Sequence, residues 1–182
     1  KRLIINGDIR HGFGKITRSQ KSELERFILY ASGYYEEVIA IRGNHDNYLK
    51  PILKDFGIQL LDLLFEKDIL IIHGHKEYSD FVKKSKIIIL GHEHPALILR
   101  DEYGQHTKFL AFIYIPTVLR NTIVLLPPFS KYAGGNAITT DKRSLLSNIT
   151  RKYAILEEGI PFVIYEGIGT VELPKLSILS YG

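Results

Sequence analysis

Four short phrases in this sequence gather the side chains that bind divalent metal ions: Gly7-Asp8-Ile9-Arg10-His11, Gly43-Asn44-His45-Asp46, His73-Gly74-His75 and Gly91-His92-Glu93-His94. Six of the seven histidines of the chain fall within them. A carboxylate can bridge two ions, an amide oxygen such as that of Asn44 is a hard neutral ligand, and imidazoles fill the remaining positions. With no Cys in the sequence, thiolate sites are excluded. A donor set of Asp, Asn and His suits Mn, Fe, Zn or Ni better than Ca or Mg. Two such ions, about 3.5 to 4 Å apart, would each take a phosphate oxygen and lower the pKa of a bridging water, which is the chemistry of phosphoester hydrolysis.

The elements that must position these groups are legible from the apolar runs ahead of them. Arg2 to Asn6, Glu37 to Arg42, Asp68 to Ile72 and Lys86 to Leu90 each read as a buried strand, so each phrase falls at a strand's carboxyl end. In an open α/β sheet those ends share one rim, where ligands bind. Glycine ahead of a ligand lets a strand turn sharply and its backbone approach closely. Taken singly, the phrases have plainer readings: Gly-Asp is a common turn, and His73 or His75 alone reads as a loop histidine. It is the recurrence of four phrases at four strand ends that points to a metal site.

Between the strands, Thr17 and Gln20 form a capping box that opens a helix. Leu24, Phe27, Ile28 and Ala31 continue it at helical spacing, and Gly33 is its expected stop. A short helix is expected from Leu49 to Phe56, with Pro51 in its first turn and Gly57 at its end. Ile58 to Leu64 reads as a further strand, and Glu77 to Lys84 as a polar helix. This alternation predicts α/β architecture. Beyond Pro95, Ala96 to Leu99, Phe109 to Ile115 and Thr122 to Leu126 come as strands separated by turns, so the second half is expected to be more antiparallel. Pro127 to Asn136 reads as a loop, Lys142 to Lys152 as a basic, helical segment, and Pro161 to Tyr165 with Thr170 to Leu173 as closing strands. No repeat or linker interrupts the chain, and one domain over residues 1–182 is expected.

Composition narrows the setting. The apolar runs are of strand length, short of the roughly 20 residues of a membrane span, so no membrane partner is expected. The absence of Cys agrees with a cytoplasmic location. A net charge of +4 and a pI near 9.1 permit an anionic partner but form only a small excess for binding by phosphate contacts alone. Lys83, Lys84 and Lys86, or Lys142, Arg143, Arg151 and Lys152, could meet a nucleic-acid backbone; a plain solvated face is the alternative.

The series Gly-Asp-x-x-His, Gly-Asn-His-Asp, His-Gly-His and Gly-His-Glu-His resembles the calcineurin-like metallophosphoesterases. Asn6 to Gly14, Leu90 to Asp101 and Pro127 to Asn136 are similar, more narrowly, to the archaeal phosphoesterases related to SbcD. The resemblance implies a β-sandwich of two mixed sheets flanked by helices, a four-layer αββα arrangement. It implies a phosphodiesterase or nuclease with two divalent ions, Mn foremost. It makes Asp8 the bridging carboxylate, puts Asn44, His73 and His92 on one ion and His94 on the other, and gives Asn44 a place beside the substrate. His45 would orient phosphate or protonate the leaving oxygen, with Asp46 fixing its tautomer. His11 would contact substrate or be structural. His75 would neighbour a ligand, and Glu93 would be a loop carboxylate. The family's first motif, Asp-x-His, is not in this sequence, which holds no Met and opens inside a strand, so a segment carrying it is expected ahead of Lys1.

Three functions are compatible with this pattern: a two-metal phosphodiesterase acting on nucleic-acid ends or nucleotides, a small-molecule phosphatase or phosphodiesterase, and a non-catalytic scaffold of the same fold. His45 separates the last from the others, since a scaffold has no use for it.

Overall fold

The computed structural model describes residues 1–10, 12, 14–130 and 133–179. Its backbone divides into two compact units, one of Lys1–Leu64 with Ile71–His73 and the other of Phe65–Leu70 with Gly74–Gly182.

The first unit is built around a parallel three-stranded sheet, β1 (Arg2–Asn6), β2 (Glu37–Ile41) and β3 (Gln59–Leu61), in that spatial order. Helix α1 (Arg18–Tyr34) connects the first two strands. Its capping box is formed as expected: the Gln20 amide donates to Thr17 Oγ1, and the Thr17 amide donates to Gln20 Oε1. Gly33 does not stop it. The helix runs one residue further and ends where Tyr35 turns extended. A second helix, α2 (Lys50–Asp55), has Pro51 in its first turn, where its missing N–H costs nothing, and Gly57 follows at φ +70°. Ile28 from α1, Ala40 from β2, Leu49, Leu53 and Ile58 form the buried core, with Leu24, Val38 and Leu60 packed against them. The helical stripe thus meets the side of the sheet that carries Val38, Ala40 and Leu60.

The expected strand from Ile58 to Leu64 is two strands. β3 ends at Leu61, and β4 (Leu64–Glu66) belongs to a different sheet. A run of alternating apolar residues cannot report that its halves hydrogen-bond to different partners.

The second sheet is mixed and has nine strands. Its main path runs β10 (Asn136–Ala137), β7 (Pro95–Arg100), β8 (His106–Pro116), β9 (Thr122–Leu125), β6 (Ile87–Leu90), β5 (Ile69–Ile72) and β4; β11 (Ile160–Tyr165) pairs with β8 and with β12 (Gly169–Glu172). The β7–β8, β8–β9, β8–β11 and β11–β12 pairs are antiparallel, whereas β6–β9 and β7–β10 are parallel. The α/β class and the antiparallel character of the second half are therefore as the sequence implied. Ile88, Leu90, Ile113, Ile115, Ile123 and Leu125 are fully buried along the central strands of this sheet.

Short helices complete the chain: α3 (Ser79–Lys84), α4 (Asn148–Tyr153) and α5 (Leu176–Leu179). The basic segment is not one helix. A 3₁₀ turn at Lys142–Ser144 is separated from α4, whose N-cap is Ser147. Among the described residues no helix is long and apolar enough to cross a membrane.

Candidate metal centre

In the first unit the carboxyl ends of β1 and β2 place Asp8 beside the Gly43–Asp46 loop, and His73 follows β5. Asp8 has a left-handed backbone, φ +48°, a conformation that costs a non-glycine residue energy and persists where its surroundings enforce it. Asp8 Oδ1 accepts the His45 amide at 3.0 Å, and Oδ2 lies 3.2 Å from Nε2 of His73. Two glycines make this approach possible. A Cβ on Gly43 would stand 2.1 Å from Asp8 Oδ1 and 2.3 Å from its backbone nitrogen, and one on Gly7 would stand 2.2 Å from Nδ1 of His73. Gly7 is also at φ +78°.

His73 is buried, and its tautomer follows from its partner. Nδ1 is 3.0 Å from the Asn6 carbonyl oxygen, which can only accept, so Nδ1 carries hydrogen. In the neutral ring Nε2 is then bare and faces Asp8. Burial alone would push the Asp8 carboxyl up, but with both imidazoles protonated the hydrogen bond and charge of His73, the His45 amide and the His45 charge outweigh it and hold the group at about 2. Asp8 is thus ionised at neutral pH. Two lone pairs 3.2 Å apart repel unless a proton or a cation lies between them. Asn44, in the Gly43–Asp46 loop beside Asp8, has a buried Oδ1 with no hydrogen-bond partner among the described residues. An ionised carboxylate, a bare imidazole nitrogen and an unpartnered amide oxygen fit a borderline divalent cation.

His45 and Asp46 serve this end of the unit differently from each other. His45 Nδ1 accepts the Gly12 amide at 3.3 Å, so the neutral ring holds its proton on Nε2, which lies 4.0 Å from Asp8 Oδ2. Asp46 was expected to fix that tautomer, and the Gly12 amide occupies the position instead. The Asp46 carboxylate is fully buried and accepts the amides of Gly43 at 2.8 Å and Ile9 at 3.0 Å, tying the loops after β1 and β2 together. Burial raises its pKa, the Asp8 charge adds to the rise, and the amides oppose it.

In the second unit His92 and His94 sit on the loop between β6 and β7. The rings of His75 and His92 meet edge-on, 6.2 Å between centroids. His94 shares the left-handed backbone of Asp8, φ +48°, and its carbonyl accepts the Asn136 amide at 2.7 Å. Glu93, between the two histidines, is fully buried, and its carboxylate accepts the amides of Leu146 at 2.8 Å and Ser147 at 2.9 Å. The loop is thereby pinned to the start of α4. Burial raises the Glu93 pKa against the pull of those two amides. His11 lies outside the described residues.

Sequence reasoning missed the roles of Asn6, Gly12 and Glu93. The first two act through backbone atoms, and the partners of Glu93 are more than fifty positions away, so no local pattern marks them.

The calcineurin-like phosphoesterase family model matches residues 2–111. The chain belongs to the calcineurin-like phosphoesterase family. Among solved structures it is similar to the nuclease MPE of Pseudomonas putida, with a TM-score of 0.61 at 20% identity, over 89% of this chain and 66% of that one. At this identity the likeness is one of fold, and the chain spans just under two thirds of the nuclease's length. Weaker likenesses, which carry no argument, are to a conserved uncharacterized protein, a predicted phosphoesterase, from Streptococcus pneumoniae (TM-score 0.38, 14% identity, 94% of this chain and 95% of that one). Another is to Vps29 complexed with zinc from Entamoeba histolytica (0.32, 12%, 94% and 97%). No curated protein matches the sequence. For this phosphoesterase family member, the motifs match the family over the first half of the chain, where the Asp8–His73 pair lies.

Proposed function

We propose that this phosphoesterase is a phosphodiesterase of nucleic-acid ends or nucleotides that works with two divalent ions, Mn foremost. The observation that supports the metal dependence is the Asp8–His73 pair, 3.2 Å apart, whose facing lone pairs in the neutral ring suit a cation. Asp8, Asn44 and His73 are the donors of the first unit, and the family motif makes His92 and His94 the further donors. When bound, divalent ions supply positive charge against phosphate oxygens and a nucleophile at neutral pH.

The chain's own residues do the rest. His45 keeps its proton on Nε2 because the Gly12 amide occupies Nδ1, and that proton is directed at a phosphate oxygen or at the leaving oxygen. Asp46 keeps the Asp8 and His45 loops in register through the Ile9 and Gly43 amides. A non-catalytic scaffold would have no use for the His45 side chain.

Substrate class is tested by offering the Mn-loaded protein bis(p-nitrophenyl) phosphate, p-nitrophenyl phosphate and end-labelled single-stranded and duplex DNA. Turnover of the diester and shortening of DNA are expected. Hydrolysis of the monoester alone would move the reading to a small-molecule phosphatase. Bound Mn without turnover of any of the four would favour the scaffold.

A further inference from the structure

The side chain of Asn6 is out of keeping with its place in the fold. It closes β1, whose residues lie in register with β2: Ile4 beside Ile39, Ile5 beside Ala40 and Asn6 beside Ile41. Paired residues of neighbouring strands share a face of the sheet, and successive residues alternate between faces. Val38 and Ala40 belong to the core under α1, so Asn6 lies on the opposite face with Ile4, Ile39 and Ile41. Ile41 is fully buried and Ile39 nearly so, and neither offers a hydrogen-bonding side chain. Both ends of the Asn6 carboxamide, Oδ1 and Nδ2, are shut away from the surface and have no hydrogen-bond partner among the described residues.

A buried amide whose acceptor and donors are all unmet costs folding free energy, and a leucine of nearly the same shape would not bear that cost. Asn121 shows the ordinary arrangement. Its Nδ2 donates to the Val82 and Ser85 carbonyls at 2.8 and 3.2 Å, and its Oδ1 accepts the Thr117 hydroxyl. The surroundings of Asn6 account for the difference. Its own carbonyl accepts from Nδ1 of His73 at 3.0 Å, and Nε2 of that ring lies 3.2 Å from Asp8 Oδ2. Asp8 is two residues further along, so its Cα is less than about 7.6 Å from that of Asn6, and Gly7 turns the chain between them at φ +78°. The carboxamide thus belongs to the residue that orients one proposed metal ligand and adjoins the other. A bare cation would suit Oδ1 but repel the amino hydrogens on Nδ2. Water in the coordination shell of an ion suits both, since one molecule donates to Oδ1 and another accepts from Nδ2.

We propose that Asn6 is a positioning residue of the metal centre, its carboxamide holding water molecules in the coordination shell of the ion bound by Asp8 and His73. This rests on the metal-dependent phosphoesterase reading and adds to it a group that acts on the ion only through water.

The test sets stability against metal affinity, which a merely structural asparagine would move in the same direction. Asn6→Leu, Asn6→Ala and the control Asn121→Leu are melted in EDTA and titrated with Mn by calorimetry, each as the full chain. Asn6→Leu should melt about 2 to 4 °C above wild type, because the orphaned amide is gone, and should bind Mn about tenfold more weakly or worse, as when a group behind a metal ligand is removed. Asn6→Ala, which fits without displacing a neighbour, should show the same loss of affinity. Asn121→Leu should melt below wild type and keep its Mn affinity. Wild-type Mn affinity in folded Asn6→Leu or Asn6→Ala overturns the proposal and leaves the Asp8–His73 site in place. An Asn6→Leu protein that melts no higher than wild type shows that the carboxamide is no burden to the metal-free fold, and overturns it as well. Absence of Mn binding by wild type removes the metal reading and the proposal with it.

Discussion

Gly43→Ala is the sharpest steric probe of the site. The glycine has no positive φ, so its backbone suits alanine and the argument is one of space alone. The added methyl would stand 2.1 Å from Asp8 Oδ1 and 2.3 Å from Asp8 N, against a limit near 3.0 Å that Cβ atoms essentially never cross. One side must withdraw by about 1 Å, and neither is free to do so. The Gly43 amide is held by Asp46 Oδ2 at 2.8 Å, the Ile9 amide by Asp46 Oδ1 at 3.0 Å, and Asp8 itself by the His45 amide at 3.0 Å. Overpacking of this kind costs about 1 to 3 kcal/mol, or roughly 2 to 4 °C in Tm per kcal/mol for a chain of this size. The functional cost is larger: a displacement of about 1 Å at the reacting centre is worth roughly a hundredfold in rate. Thermal denaturation, Mn titration calorimetry and kcat/KM on bis(p-nitrophenyl) phosphate read the three effects. Gly33→Ala is the control, since nothing lies within 4 Å of its Cβ and it sits inside α1, where the change should stabilise by up to about 1 kcal/mol. Wild-type Mn affinity and turnover in Gly43→Ala would refute the reasoning.

Three further outcomes are expected. His45→Ala should keep its Mn-induced rise in Tm and lose about 100-fold or more in turnover, because the residue is assigned to substrate; equal activity would reject that assignment. Glu93→Gln should cost about 2 kcal/mol, since one of the Leu146 and Ser147 amides would then face an NH₂ group, and an unchanged melting curve would contradict it. The pH dependence isolates Asp8, whose folded carboxyl is held at about 2 against an ordinary 3.8. A depressed folded pKa stabilises above the unfolded value and loses its effect as pH falls through the folded one. In EDTA the advantage of wild type over Asp8→Asn should thus shrink by about 2 kcal/mol as the pH is lowered from roughly 5 to below 2. Urea titrations showing a pH-independent difference between the two proteins would exclude this.

Much of this structure is written locally in the sequence. β1 spans the residues its apolar run predicts, β2, β5 and β6 differ from theirs by a single residue, and the α1 capping box is read from two side chains. Periodicity failed where partners decide. It could not split Ile58–Leu64 between two sheets, foresee the two-residue β10, or break the basic segment ahead of Ser147. The same division holds at the candidate site. Residue types and strand ends named Asp8, Asn44, His45 and His73, whereas the groups that orient them were hidden. The Asn6 carbonyl and the Gly12 amide belong to the backbone, which every residue has. Asp46 was visible as a residue, but which amides its carboxylate would take depends on the loop that β1 sets beside it.

Asp8 and His73 are proposed to hold a metal ion. Mn titration calorimetry on the metal-free chain measures this directly, in wild type, Asp8→Asn and His73→Ala, with circular dichroism to show that each is folded. The prediction is saturable Mn binding in wild type that is abolished or weakened at least tenfold in both variants. Equal Mn affinity in all three folded proteins, or no binding in wild type, would contradict it.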